Sequence, residues 1–125
     1  MNYFEHVLNI WDALYDKSQN TKDAIEKYFH DDYTQCINGV IMNRLEYIDH
    51  VSEQKKHIES MEFECQKYLA QSDQIFMIYK AKGRNTHGED IEAEVISYFE
   101  FKDKKIFKIH GQVHLMKGNP SDVDM

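Results

Sequence analysis

Three runs in the C-terminal half decide the fold: QIFMIYKA (Gln74–Ala81), IEAEVISYFEF (Ile91–Phe101) and KIFKIHGQVHLM (Lys105–Met116). Apolar and polar residues alternate within them, as in Ile91, Ala93 and Val95 against Glu92 and Glu94. Successive side chains of a strand point to opposite faces, so each run has one face to bury and one left to water. A loop at Gly83–Gly88 and a tight turn around Asp103 join the runs into a curved antiparallel sheet with one face in need of cover.

The N-terminal half supplies that cover. Over Tyr3–Asp16, Phe4, Val7, Leu8, Trp11, Leu14 and Tyr15 recur at three- and four-residue intervals, the spacing of an amphipathic helix. Asn2 is placed to cap it, with Glu5 three residues on completing a capping box. After a polar break at Lys17–Asn20, Thr21–His30 reads as a second helix capped by Thr21 and buried through Ala24, Ile25, Tyr28 and Phe29. Tyr33–Asn38 opens a strand, Asn38-Gly39 is a turn signal, and Val40–Met42 returns. A third helix begins at Asn43 with Glu46 three residues on, buries Leu45, Ile48, Val51 and Ile58, and ends in Lys55, Lys56 and His57, the cationic end that the helix dipole favours. Met61–Ala70 then starts the main sheet. The order α-α-β-(β)-α-β-β-β-β predicts an α+β domain over 1–118, three helices in the concave face of a mainly antiparallel sheet, with a loose tail at 119–125.

Composition narrows the function classes. At 125 residues the chain is the size of one ordinary domain, and its 42% hydrophobic and 13% aromatic content supports a packed core. A net charge of -7 repels phosphate backbones, and the lysines at 102, 104, 105 and 108 form no stripe, so no nucleic acid partner is expected. Apolar stretches fall far short of the ~20 residues that span a bilayer. Met1–His6 carries no basic apolar leader, so a cytoplasmic location off the membrane is expected. Cys36 and Cys65 lack CxxC spacing and read as reduced, half-buried residues.

This order resembles the nuclear-transport-factor-2-like superfamily, also called SnoaL-like or cystatin-like cone proteins. The resemblance rests on Val7–Tyr15 as the long helix, Phe29-His30-Asp31-Asp32-Tyr33 as the helix-to-strand junction, the hairpin Tyr98–Ile106, and the ending His114-Leu115-Met116-Lys117-Gly118. It implies a sheet rolled around the first helix, with an apolar pocket at its open end. In ketosteroid isomerase, one member, the chemistry needs a carboxylate base and a paired Tyr and protonated Asp. This chain presents Ile37 or Asn38 at the base, about Trp11 at the Tyr and Ser97 at the second acid, so that reaction is not expected.

With Ser97 facing inward, alternation sends Val95 and Phe99 with it, and Ile109, Gly111 and Val113 on the last strand. Trp11, Tyr15, Tyr33, Gln35, Ser97, Phe99 and Val113 are then the candidate ligand contacts, a few hydrogen-bonding groups in an apolar wall, although ordinary core is the commoner fate of each. His110, Gln112 and His114 share a strand face, but its outer two positions are roughly 13 Å apart at ~3.3 Å per residue, too far for one ion whose ligands lie at about 2.0–2.3 Å. They read as an outer-face homodimer interface, and no metal or cofactor is expected. His50 is expected to be solvated, and His6, His30, His57 and His87 show no partner in the sequence. Asp31 and Asp32 read as a solvated turn.

Three functions stay open: binding of a small, largely apolar molecule; a cyclase, isomerase or dehydratase run by Tyr33, Asp31 or Asp32 with a His; and a protein-interaction module with a filled core.

Overall fold

The computed structural model describes residues 3–118. They form α1 (Tyr3–Tyr15), α2 (Thr21–Tyr28), β1 (Phe29–Ile37), β2 (Val40–Asn43), α3 (Arg44–Lys55), β3 (Ile58–Gln71), β4 (Gln74–Asn85), β5 (Asp90–Lys102) and β6 (Lys105–Lys117). The expected element order and α+β class are found, while the Asn2 cap and the tail at 119–125 lie outside the described residues.

The strands make one sheet in the order β2-β1-β6-β5-β4-β3, antiparallel except for the β1–β6 pair. Two hairpins turn on paired left-handed residues, Asn38 and Gly39 (φ 51° and 81°) and Asp103 and Lys104 (φ 53° and 65°). Two-residue turns of this kind match the natural twist of the strands they join. Gln66 in β3 and Phe107 in β6 are extra residues in their ladders. Such bulges bend a strand and increase its twist, which helps the long strands curl over the helices.

α1 fills the concave side. Val7, Ile10, Trp11 and Leu14 are fully buried, and burying a side chain of that size contributes about 2 kcal/mol. α1 packs mainly on β3. Its first turn is tied down by the Tyr3 hydroxyl, which donates to Asp73 Oδ1 at 2.9 Å in the β3–β4 turn, and by stacking of Tyr3 on Phe101.

Several boundaries differ from the expectation for local reasons. α2 is capped by Asn20, not Thr21: the Asn20 side chain accepts from the Asp23 amide at 3.0 Å. The helix stops at Tyr28 because Phe29 is already extended and starts β1. α3 has the capping box expected at Asn43 and Glu46, but Leu45 is 69% exposed and Ile58 belongs to β3. The buried stripe is Tyr47, Ile48, Val51 and Gln54, and Leu45 lies about 200° round the helix from Tyr47. The Gly83–Gly88 loop shrinks to a turn, since β4 continues to Asn85. Gly83 lies within that strand, paired with Met61, at a position that needs glycine because a Cβ there would collide with the Ser60 carbonyl of β3. The Asn85 side chain then organises the turn, accepting from the His87 and Glu89 amides at 3.0 Å each.

Candidate functional site

Inside the cone, strand alternation sets the wall. Ile37, Gly111, Ser97 and Met77 stand side by side across β1, β6, β5 and β4, with Gln35, Ile109, Phe99 and Ile75 in the next row. Trp11 points into this wall from α1, its ring 6.0 Å from Phe99, 6.2 Å from Phe29 and 6.4 Å from Phe63. Trp11, Tyr15, Tyr33, Gln35, Ser97 and Phe99 are therefore gathered in one interior, all buried. Val113 is inward but half-buried.

Polar groups are paired unequally there. The Tyr33 hydroxyl donates to Gln35 Oε1 at 2.7 Å and the Tyr15 hydroxyl to Gln54 Oε1 at 2.9 Å. The Ser97 hydroxyl is buried with no hydrogen-bond partner, seated over Gly111 so closely that a Cβ on that glycine would lie 2.7 Å from Ser97 Oγ. The Trp11 indole N–H is also buried and unbonded. It lies near enough to the Tyr79 oxygen to favour that phenol's ionised form, without completing a hydrogen bond to it. A buried polar group left unmatched costs about 1–3 kcal/mol, so two in one interior call for explanation.

Four phenols, Tyr15, Tyr33, Tyr47 and Tyr79, share this interior. Burial pushes all four above the ordinary phenol range. Mutual proximity adds to it: Tyr79 raises Tyr33, Tyr15 raises Tyr79, and Tyr15, Tyr33 and Tyr79 all raise Tyr47. The Gln54 hydrogen bond opposes the shift at Tyr15. All four stay protonated at neutral pH and act as hydroxyl groups, not as bases.

The sequence missed Tyr47, Gln54 and Tyr79. Their signals were present: Tyr47, Val51 and Gln54 fall on one helix face, and Tyr79 alternates with Ile75 and Met77. Of the remaining candidates, Asp31 is exposed and pairs with Arg44 at 3.1 Å, and Asp32 is exposed at the surface of β1. His30 does have partners: its Nδ1 accepts from the Asp32 amide at 3.0 Å, and its Nε2 lies 3.6 Å from Asp103. His6 packs between Tyr28 and Phe101. His50 is half-buried, not solvated. Both cysteines are free and half-buried, and burial pushes the Cys65 thiol up, away from thiolate chemistry.

On the convex face, one row crosses all six strands: Ile41, Cys36, His110, Tyr98, Phe76 and Leu69. Beside it run Lys67, Ile78, Ile96 and Gln112. Ile41, Leu69, Phe76 and Ile96 are 74%, 80%, 57% and 49% exposed, an apolar belt with a recess of about 640 Å³ along Leu69, Phe76 and Ile96. His110, Gln112 and His114 lie exposed on this face, and His114 pairs in register with Glu94 of the charged row beyond.

Rolled sheet, enclosed long helix and polar groups sunk in an aromatic interior together define an α+β cone of the NTF2-like kind. The chain belongs to the SnoaL-like domain family, whose model matches residues 7–109. It is 20% identical over 103 residues to an uncharacterized protein of Schizosaccharomyces pombe, covering 82% of this chain and 79% of that one. Among solved structures it is similar to an NTF2-like protein of unknown function from Exiguobacterium (TM-score 0.71, 14% identity, 89% of this chain and 97% of the other). It is also similar to a protein from Jannaschia provisionally described as a SnoaL-like polyketide cyclase (TM-score 0.69, 11% identity, 88% and 83%). Identities this low speak for the fold alone.

Proposed function

We propose that this SnoaL-like domain binds a small, largely apolar molecule inside the cone, against Trp11, Phe99 and Val113, with Ser97 and Trp11 as the polar contacts. The observation that carries the proposal is the pair of buried groups without a hydrogen-bond partner, Trp11 Nε1 and Ser97 Oγ, among aromatic side chains; a bound molecule would match what the fold leaves unmatched. Tyr15 and Tyr33 take a supporting role: their hydroxyls are committed to Gln54 and Gln35 and hold those amides in place. Acid–base catalysis of the cyclase, isomerase or dehydratase kind has less support. Gln35, Gln54, Asn85 and Ser97 do not titrate, the four interior phenols stay protonated, and the candidate acids Asp31 and Asp32 sit at the surface; the one buried, unpartnered imidazole nitrogen among the described residues, His6 Nε2, is packed with Tyr28 and Phe101, away from those acids. The two unpaired thiols suit the reducing cytoplasm, and no described helix is long and apolar enough to cross a membrane.

A thermal-shift screen with small aromatic and alicyclic compounds tests binding. Compounds that fit raise the melting temperature of the wild-type protein, whereas a set that leaves it unmoved contradicts the proposal. A second copy of the chain is the proposed partner for the convex belt, where His110, Gln112 and His114 lie. Contiguous exposed apolar surface flanked by charged rows is the usual mark of a protein interface.

A further inference from the structure

Resting on the proposal that a second copy covers the convex belt, we infer that the two copies meet about a twofold line parallel to the strands between β5 and β6, so that Ile41 of each enters the apolar recess of the other beside Leu69. Gln66 and Phe107 bend β3 and β6 along their own length, so two such sheets set back to back touch along a row that crosses the strands. The row of Ile41, Cys36, His110, Tyr98, Phe76 and Leu69 is apolar at both ends, and its end residues are the two most exposed large apolar side chains described. In the order β2-β1-β6-β5-β4-β3 the midline falls between β6 and β5. Turning a second copy over about that line lays the row on itself reversed: Ile41 over the partner's Leu69, Cys36 over the partner's Phe76, His110 over the partner's Tyr98. The recess of about 640 Å³ along Leu69, Phe76 and Ile96 then faces a protruding isoleucine, a knob opposite a hole.

Charge selects the same line. The rows on either side of the belt pair Glu100 with Lys108, Glu94 with His114 and Glu92 with Lys117 across β5 and β6, and the half-turn sets each of these acids against the partner's basic residue of the same row. Opposite charges facing across an interface fix its register. A twofold line running across the strands, between this row and that of Ile78 and Ile96, instead brings Glu100 toward the partner's Glu94 and Lys108 toward the partner's His114, which puts like groups face to face. A line between β4 and β5 matches Glu94 with the partner's Lys80, but it sets recess against recess and leaves Ile41 in water.

The test is a charge pair read by size-exclusion chromatography with light scattering over a range of protein concentrations. Ile41 and Leu69 lie on the two outermost strands of one chain, about 24 Å apart at ~4.8 Å per strand, so neither can compensate for the other within it. Ile41→Lys and Leu69→Glu are each expected to raise the dimer dissociation constant at least about tenfold. Both side chains are exposed, so the variants are expected to keep the wild-type fold, which circular dichroism checks. The double variant, in which each new ammonium faces a new carboxylate across the interface, is expected to recover most of the wild-type affinity. Single variants as dimeric as the wild type, or a double variant no better than the singles, overturn the twofold line; a dimer that Phe76→Lys still dissociates then leaves the belt standing. A wild-type chain that stays monomeric, or a dimer that Phe76→Lys leaves intact, overturns both.

Discussion

Ser97 is the residue on which the interior turns. Its hydroxyl is buried with no hydrogen-bond partner, so Ser97→Ala is expected to leave folding stability unchanged or raise it by about 1 kcal/mol, because the cost of an unmatched buried hydroxyl disappears. The neighbouring glycine behaves oppositely. A Cβ at Gly111 would stand 2.9 Å from the Ile96 carbonyl oxygen as well as against Ser97 Oγ, and backbone cannot swing aside. Gly111→Ala is therefore expected to cost about 1–3 kcal/mol, measured by urea denaturation of both variants side by side. Stabilisation by Ser97→Ala together with loss of the thermal shift given by a fitting compound would mark a residue kept for a ligand at the expense of the fold.

Among the elements, caps and alternation explain what was legible in the sequence. The period-two pattern of 91–101 put Val95, Ser97 and Phe99 on the inner face because β5 is a central strand whose two sides differ sharply in burial. α3 was harder. Its buried stripe includes the polar Gln54, while the apolar Leu45 faces solvent, so hydrophobicity alone found Ile48 and Val51 but added Leu45 to them and hid Tyr47. The α2 cap differs from the expectation by one residue because Asn20 and Thr21 are both good capping types; Asn20 is extended (φ -75°, ψ 122°) while Thr21 is already helical, so the Asn20 side chain reaches the Asp23 amide. Asn20→Ala is accordingly expected to destabilise the protein by about 1 kcal/mol. Thr21→Ala should stay within about 0.5 kcal/mol, and equal losses at the two sites in thermal unfolding would contradict the assignment.

For the whole molecule, the four interior phenols predict an alkaline limit. Their folded pKa values are raised, so the native state holds protons that the unfolded chain releases near the ordinary phenol value of 10.0. Stability is then fully present below that pH and is lost as pH rises above it, by roughly 5 kcal/mol per pH unit if four phenols take part. Tyrosinate absorbance should show four of the eight tyrosines ionising only as the fold collapses; eight ordinary titrations would refute the buried cluster. The convex belt predicts a dimer, and Phe76→Lys, which puts a charge into it, is expected to yield a folded monomer by size-exclusion chromatography with light scattering, whereas an unchanged mass would remove that interface. What composition and periodicity could not supply was the hydrogen-bond sign of the interior, since it depends on which amide each tyrosine reaches across 2 or 39 positions of chain. The most direct measurement of binding inside the cone uses the one tryptophan of the chain, whose indole N–H gives a single cross-peak in a nitrogen–proton correlation spectrum. On titration with a compound that raises the melting temperature the peak should move and saturate, as the ligand changes the surroundings of the indole; a peak that stays in place would contradict a ligand seated at Trp11.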